Sequence, residues 1–309
     1  MLRRTISVAL LAALAAAGVY WWLSAPVVAA AGTAPAHVPD LANGEVMFNA
    51  GGCASCHAVP DRPDRARLGG GVAIKSPFGT FYAPNISSDP TYGIGKWSDA
   101  EFVNAVMHGV SPDGQHYFPA FPYTSYQHAR REDVLDLFAY LKTLPAVAGK
   151  VRDHDMRFPF NIRRNVGIWK FLFMDGKPFV ADSAKSPQFN RGAYLVNSFG
   201  HCAECHSPRN ALGGIIAGER FAGGPNPEGE GWVPNITQKH LGEWSAKDIA
   251  YFLKTGELPD GDSVGGAMTR VIKNTSQLSD DDLAAMADYV KSLPPVDGPP
   301  RPKRKEGGA

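Results

Sequence analysis

The sequence predicts a mainly α-helical fold, in which two tandem domains with long loops are joined by a helical linker and preceded by an apolar helix. The first observation is an internal repeat, since short motifs return in the same order 147 to 150 residues later. The second is that each copy ends in a stripe of apolar residues at helical spacing, whereas no strong alternating pattern predicts strands. The third is a long uncharged apolar run near the N-terminus.

The apolar run predicts a membrane helix or an export signal. Two arginines precede residues 6–23, an uncharged run of 18 residues, and this length just suffices to span a bilayer. Its last aromatic residues, of types that favour the membrane interface, are Tyr20, Trp21 and Trp22. Ala29–Ala31 then offers a small-residue cleavage site. Residues 1–31 are therefore interpreted either as a retained anchor or as a removed signal peptide, and both place the remainder outside the cytoplasm.

The repeat divides the chain into two domains. Three pairs of segments show it: APNIS at 83–87 and VPNIT at 233–237, GKWSDAEF at 95–102 and GEWSAKDI at 242–249, and LKTLPAV at 141–147 and VKSLPPV at 290–296. We expect domain 1 at residues 38–148 and domain 2 at residues 185–296. A linker, 149–184, lies between them, and a Pro-rich charged tail, 297–309, is expected to be disordered.

Helices are expected at matching places in the two domains. Ser98 and Ser245 are expected to cap one pair of helices, and Leu-Pro ends the last pair because proline cannot continue a helix. A weaker helix precedes each cysteine pair, at 44–50 and 191–198. Residues 161–174 of the linker are apolar, aromatic and basic. We expect a helix that packs across both domains there; contact with a partner or a membrane surface is the alternative.

The charge balance narrows the possible functions. The chain has 31 basic and 30 acidic residues, without the strong basic excess that nucleic-acid binding favours. Its 33 glycines and 25 prolines predict long ordered loops. We therefore expect no nucleic-acid partner.

Four cysteines occur in two pairs, and a histidine follows each pair, as CASCH and CAECH. Cys-x-x-Cys-His is the attachment sequence of c-type haem, in which the thiols bond the porphyrin vinyl groups and the histidine binds iron. A redox cysteine pair or half a zinc site would be the alternatives. Two motifs, no further cysteine and an export segment favour two covalently bound haem c groups. The residues are Cys53, Cys56 and His57 in the first motif and Cys202, Cys205 and His206 in the second.

A low-spin electron-transfer haem needs a sixth iron ligand, usually supplied by the loop before the last helix. In the second domain Met268, in a glycine-containing loop before that helix, is predicted to be this ligand. Subtracting the offset of 147 places Phe121 in the same position of the first domain, and phenylalanine has no lone pair for iron. Ligation of the first haem by His116 or His128, ligation by another methionine such as Met107, and a five-coordinate iron all remain open.

Four stretches carry a family resemblance: FGTFYAPNIS, PFNIR, NRGAYLVNSFGHCAECHSPRN and NTSQLSDDDLAAMADYVKSLPPV. They resemble the cytochrome c subunits of membrane-associated bacterial alcohol, gluconate and aldehyde dehydrogenases, over roughly residues 40–296. The resemblance implies two class I cytochrome c domains on the periplasmic side of the inner membrane. It also implies a dehydrogenase catalytic subunit as electron donor and a respiratory-chain acceptor. Many members have three haem motifs and a C-terminal anchor, and often read PAMPY where this chain reads PAFPY.

An electron-transfer subunit is expected rather than a catalyst. A dihaem enzyme of the peroxidase or thiosulfate-oxidising type, with an open first haem, is the alternative. The sequence around Phe121 shows no evident acid–base pair for such chemistry, although His116 could serve. A structural subunit with incidental haems is the least favoured interpretation, because attaching two unused haems is costly.

Overall fold

The computed structural model describes residues 2–28, 37–229 and 231–301. The cleavage site expected at Ala29–Ala31 and the tail beyond residue 301 lie outside the described residues. The described parts of the chain contain thirteen α-helices and five short strands, so the fold is mainly α, as the sequence predicts.

The N-terminal apolar run forms one helix, α1 (Leu2–Leu23). Its stretch from Arg4 to Leu23 is long and apolar enough to cross a membrane, and none of it is buried inside the protein. The exposed fraction is 65 % at Trp21 and 75 % at Trp22. Ser24, by contrast, is 0 % exposed. The chain therefore enters the folded part immediately after the helix ends.

The first domain contains five helices: α2 (Leu41–Ala50), α3 (Cys53–His57), α4 (Asp99–His108), α5 (Tyr123–Tyr126) and α6 (Arg131–Thr143). Helix α2 crosses α6 closely. A Cβ atom on Gly44 would lie 2.3 Å from the carbonyl oxygen of Asp136, so only glycine allows this approach. Helix α2 begins three residues earlier than predicted because the Asp40 side chain accepts hydrogen bonds from the amides of Ala42 and Asn43.

The linker contains α7 (Asn165–Phe173). The second domain follows with α8 (Pro187–Asn197), α9 (Cys202–His206), α10 (Gln238–Leu241), α11 (Ala246–Thr255), α12 (Met268–Thr275) and α13 (Asp280–Lys291). The crossing of α8 with α13 repeats that of α2 with α6. A Cβ atom on Gly192 would lie 1.7 Å from the carbonyl oxygen of Ala285.

The two serines predicted to cap helices do so. Ser98 and Glu101 form a capping box at the start of α4, and Ser245 and Asp248 form one at the start of α11. In each box the serine hydroxyl accepts from the amide three residues on, and the acidic side chain accepts from the serine amide.

Two small antiparallel sheets complete the fold. Strands β1 (Ala73–Ser76) and β2 (Gly79–Tyr82) form a hairpin, and β3 (Asp155–Met156), from the linker, pairs with β2. Strands β4 (Gly224–Pro225) and β5 (Trp232–Val233) pair in the second domain. The pairing of β3 ties the start of the linker to the first domain.

Helix α7 contacts both domains, as the sequence predicts. The Lys170 ammonium donates to the carbonyl oxygens of His108 and Gly109, both at 2.6 Å, in the first domain. The Trp169 indole donates to the Leu212 carbonyl oxygen, at 2.9 Å, in the second domain. The helix covers nine residues of the linker, and the rest of the linker consists of loops, turns and the short strand β3.

Candidate haem sites

Each cysteine pair lies on a short helix. Cys53 and Cys56 in α3, like Cys202 and Cys205 in α9, are three residues apart and therefore share a helix face. All four cysteines are among the described residues, and none forms a disulfide. Two thiols on one face fit the attachment of two vinyl groups of a porphyrin.

A residue in the left-handed conformation precedes each pair. It is Gly52 (φ 58°) in the first domain and His201 (φ 37°) in the second. Glycine adopts this conformation without strain, and histidine tolerates it better than most residues. The His201 ring reaches the first domain, where its Nε2 donates to the Gly51 carbonyl oxygen at 3.2 Å. Its ring centroid lies 5.8 Å from that of Tyr126.

The two motif histidines are oriented in the same way. Nδ1 of His57 lies 2.8 Å from the carbonyl oxygen of Pro84, and Nδ1 of His206 lies 2.8 Å from that of Pro234. A carbonyl oxygen only accepts, so each Nδ1 carries the proton and each Nε2 keeps its lone pair for a metal. Burial lowers the pKa of both rings and keeps them neutral. Both imidazoles therefore fit an iron ligand.

The thiols of the two motifs are largely shielded from water. Burial raises the pKa of Cys53 and Cys205 to about 12, and that of Cys56 and Cys202 to about 11. The four thiols are therefore protonated near neutral pH.

Met268 and Phe121 occupy equivalent places. Met268 begins α12, and Phe121 lies two residues before α5. Both side chains are partly buried and pack against the same core. The Phe121 ring lies among aromatic neighbours, 5.7 Å from the ring of Tyr126 and 6.0 Å from that of Tyr117. The repeat offset thus places a thioether in the second domain where the first has a hydrocarbon ring.

The two other candidate ligands hydrogen-bond to segments outside the first domain. Nε2 of His116 donates to the carbonyl oxygen of Ser24 at 2.9 Å, and its Nδ1 is buried without a hydrogen-bond partner. Nδ1 of His128 donates to the carbonyl oxygen of Lys177, in the linker, at 2.6 Å. His128 therefore has the hydrogen-bonding pattern of His57, whereas His116 has the opposite one.

The third residue of the second motif contacts the first domain. Glu204 is 8 % exposed, and its Oε1 accepts from the hydroxyls of Thr124 at 2.5 Å and Ser125 at 2.9 Å, which both belong to α5. Its Oε2 lies 2.6 Å from the Arg209 guanidinium. Burial alone would raise the pKa of Glu204, but Arg209 and the two hydroxyls lower it by more. The carboxylate is therefore ionised and fully paired.

The third residue of the first motif makes the reciprocal contact. The Ser55 hydroxyl accepts from Asn274 Nδ2 at 2.7 Å and donates to the Arg270 carbonyl oxygen at 3.2 Å, both on α12. Arg65 also donates to Asn274 Oδ1, at 2.8 Å. Helices α3 and α12 thus meet in the same way as α9 and α5. Each cysteine-bearing helix contacts the helix that begins at, or just after, the ligand position of the other domain.

Comparison with known proteins gives the family. Residues 41–145 and 189–294 match the cytochrome c family. The chain belongs to the cytochrome c family. This cytochrome is 46 % identical over 298 residues to a diheme cytochrome c-type protein of Cereibacter sphaeroides, and the match covers 96 % of this chain and 100 % of that protein.

Two dehydrogenase subunits are also similar to this cytochrome. The fructose dehydrogenase cytochrome subunit of Gluconobacter japonicus is 37 % identical over 84 % of this chain and 54 % of its own length. The gluconate 2-dehydrogenase cytochrome c subunit of Pantoea cypripedii is 37 % identical over 81 % of this chain and 58 % of its own length. The chain thus spans slightly more than half of these two relatives.

These matches confirm the predicted resemblance, the two tandem cytochrome c domains and the two covalently bound haem c groups. They also support transfer of electrons from a dehydrogenase and do not favour the dihaem-enzyme alternative.

Sequence reasoning missed several residues around the motifs. The carbonyl groups of Pro84 and Pro234 could have been predicted as partners of the motif histidines, because both prolines occupy the same position in the repeated segments APNIS and VPNIT. The partners of Glu204 and Ser55 in the opposite domain could not be predicted, because these contacts join residues 79 to 219 positions apart and no periodic pattern marks them.

Proposed function

We propose that this cytochrome is the electron-transfer subunit of a dehydrogenase complex. It receives electrons from a dehydrogenase catalytic subunit and passes them to a respiratory-chain acceptor, on the periplasmic side of the bacterial inner membrane. Its membrane attachment is α1. The relatives named as dehydrogenase cytochrome subunits support the donor class, and the helix that is long enough to span a bilayer supports the location.

Each haem is assigned to residues that fit it. Cys53 and Cys56 would bond the first haem, and Cys202 and Cys205 the second, with His57 and His206 as the proximal iron ligands. When bound, haem supplies a reversible one-electron change at iron. The chain holds each imidazole neutral and in a fixed orientation through a proline carbonyl.

The two sites are proposed to be chemically unequal. Met268 is assigned as the sixth ligand of the second haem, while Phe121 cannot serve the first. Of the two histidines that remain candidates, His128 uses Nδ1 for its carbonyl bond and thus resembles a ligand, whereas His116 uses Nε2 to hold Ser24. A five-coordinate first iron remains the other outcome.

The observation that carries the proposal is the reciprocal contact between the motifs. Helices α3 and α9 each touch the other domain, so the two haem-attachment segments face one interface. This favours a protein that passes single electrons between two groups over one that encloses a small substrate.

Electron transfer is tested on membranes of a strain that produces the full chain. Alcohol, gluconate or fructose is added, and the haem absorbance is followed by stopped flow. We expect one of these substrates to reduce the cytochrome, and reduction to cease when the cognate dehydrogenase is deleted. Steady peroxide consumption by the purified protein, without reduction by any dehydrogenase, would establish the enzyme alternative instead.

Met268→His tests the assignment of the ligands. A thioether favours ferrous iron, so the substitution should lower the reduction potential of one haem only and remove the far-red band of Met-ligated ferric haem. Redox titration and absorption spectroscopy measure both effects, with Met107→Leu as the control. Survival of the band in Met268→His, or its loss in Met107→Leu, would contradict the assignment. EPR of His116→Ala and His128→Ala then identifies the ligand of the first haem, since its loss converts that haem to high spin.

A further inference from the structure

The residue that follows α1 is built into the folded cytochrome. Ser24 is 0 % exposed, and its carbonyl oxygen accepts from Nε2 of the buried His116. The Arg164 guanidinium donates to the Ser24 hydroxyl at 2.9 Å and to the Trp21 carbonyl oxygen at 2.6 Å. It also stacks 3.6 Å from the centroid of the Trp21 ring. The end of α1 is thus fixed by polar, cationic and aromatic contacts rather than by a loose tether.

A glycine makes room for Ser24. A Cβ atom on Gly167 would lie 2.5 Å from the Ser24 carbonyl oxygen and 2.8 Å from Nε2 of His116. Gly167 sits inside α7, where alanine is the better helix former, so packing against Ser24 accounts for a glycine there. Cleavage at residues 29–31 would remove Ser24. Nε2 of His116 would then lose its hydrogen-bond partner, while Nδ1 already has none.

The depth of this contact follows from the length of α1. The stretch Arg4–Leu23 has 20 residues, and a rise of about 1.5 Å per residue gives about 30 Å, the thickness of the hydrocarbon core. Trp21 and Trp22 then lie at the outer interface, where tryptophan settles. Ser24 and Arg164 must lie at the level of the lipid headgroups. An α1 that spans the bilayer would therefore hold the first turn of α7 at the membrane surface.

Exposed apolar side chains surround that point. The linker patch consists of Phe158, Phe160, Ile162, Phe171 and Leu172, which are exposed by 79, 43, 42, 65 and 56 %. Asn165 joins it to α1, since its Oδ1 accepts from the Tyr20 hydroxyl at 2.9 Å and its Nδ2 donates to the Pro159 carbonyl oxygen at 3.4 Å. Phe171 and Leu172 lie two helical turns beyond Arg164, on the same stripe of α7.

We propose that α1 is retained as an anchor seated on the cytochrome fold, and that the linker patch lies in the headgroup and upper acyl region of the bilayer. This rests on the membrane attachment proposed above. A bilayer is favoured over a protein partner because the patch begins where the anchor leaves the membrane, and phenylalanine and leucine beside arginine are the side chains of an interfacial helix. The contacts of Ser24 with His116, Arg164 and Gly167, called the Ser24 contacts below, determine which face of the cytochrome lies on the membrane. This orientation does not depend on which dehydrogenase the cytochrome serves.

The test uses the full-length holoprotein in nanodiscs that contain a phospholipid with a diazirine group near the glycerol backbone. After photolysis, mass spectrometry locates the labelled residues. We expect labels on α1 and on the linker patch, but none on Tyr251, which is 54 % exposed on α11. The intact mass should include residues 1–28. A mature N-terminus beyond residue 28, or labels confined to α1, overturns the proposal and leaves the electron-transfer function untouched.

Two variants test the Ser24 contacts separately from the membrane insertion of α1. Gly167→Ala should displace Ser24. The linker patch should then no longer be labelled, whereas α1 should still be labelled. Gly218→Ala is the matched control, since a Cβ atom there meets nothing within 4 Å. Arg164→Met removes the hydrogen bonds to Ser24 and Trp21 without increasing the size of the side chain. The haem absorbance shows whether each variant is folded. If the linker patch is labelled as in the wild type in both Gly167→Ala and Arg164→Met, the Ser24 contacts do not orient the cytochrome on the membrane.

Discussion

The ion pair between Glu204 and Arg209, which lies beside the contact of Glu204 with the first domain, can be tested by replacing Glu204 with glutamine. The substitution keeps the volume and one acceptor for Thr124 and Ser125, but it removes the charge that faces Arg209. Breaking a buried ion pair from one side costs about 3–5 kcal/mol. The side chain of Arg209 is 23 % exposed and that of Glu204 is 11 % exposed, so water restores part of the lost solvation. We therefore expect Glu204→Gln to lower the free energy of unfolding by about 3 kcal/mol.

Urea unfolding of the full-length holoprotein measures this free energy, with far-ultraviolet circular dichroism as the signal. Ser55→Ala is the matched control, because Ser55 holds the same place in the first motif but makes neutral hydrogen bonds, one exposed and one partly buried. Its loss should cost about 1 kcal/mol or less. If Glu204→Gln and Ser55→Ala prove equally destabilising, the ion pair contributes nothing and the reasoning fails.

Three further substitutions test the helix crossings, the caps and the charge balance. Gly192→Ala should destabilise by about 3 kcal/mol in thermal unfolding, because the added carbon would meet the Ala285 carbonyl oxygen at 1.7 Å and the helices must separate; an unchanged melting temperature would contradict the close crossing. Ser245→Ala should cost about 1 kcal/mol in urea unfolding through loss of its capping box, and wild-type stability would mean that the cap is redundant. Burial alone would raise the pKa of Asp136, but hydrogen bonds from a histidine, an asparagine side chain and a backbone amide lower it by more. Its stabilisation is therefore present above the ordinary carboxyl pKa of about 4 and is lost as pH falls through the lowered folded value, so Asp136→Asn should flatten the dependence of stability on pH below about pH 4; an unaltered acid dependence would show that other carboxylates set it.

The repeat made much of the fold predictable. A duplicated domain repeats its helices, so an offset counted from one cysteine pair located the position of Phe121 from that of Met268, and both precede or begin a helix in the structure. The capping serines were predictable for a local reason, because a cap depends on residues three apart.

The remaining features depend on contacts between distant segments. Strand β3 has two residues, too few for any alternating pattern. Hydrophobicity predicted that α1 is a membrane anchor or an export signal. It carries no information about Ser24, which packs against a glycine 143 positions away. The hydrogen bonds of His116 and His128 likewise depend on segments distant in the chain, and both residues fit the sequence pattern of a ligand equally well.

The reciprocal contact of α3 with α12 and of α9 with α5 has the form of a two-fold interface. In such an interface one patch meets a copy of itself, as in a symmetric homodimer. The chain can be viewed as a homodimer whose two subunits have become covalently joined. The two halves are then always present in a one-to-one ratio. Because each half has its own stretch of the sequence, a substitution in one half does not appear in the other. That freedom allows serine to contact an asparagine amide of the opposite half, while glutamate contacts two hydroxyl groups of the opposite half. It also allows one half to have a phenyl ring where the other has a thioether.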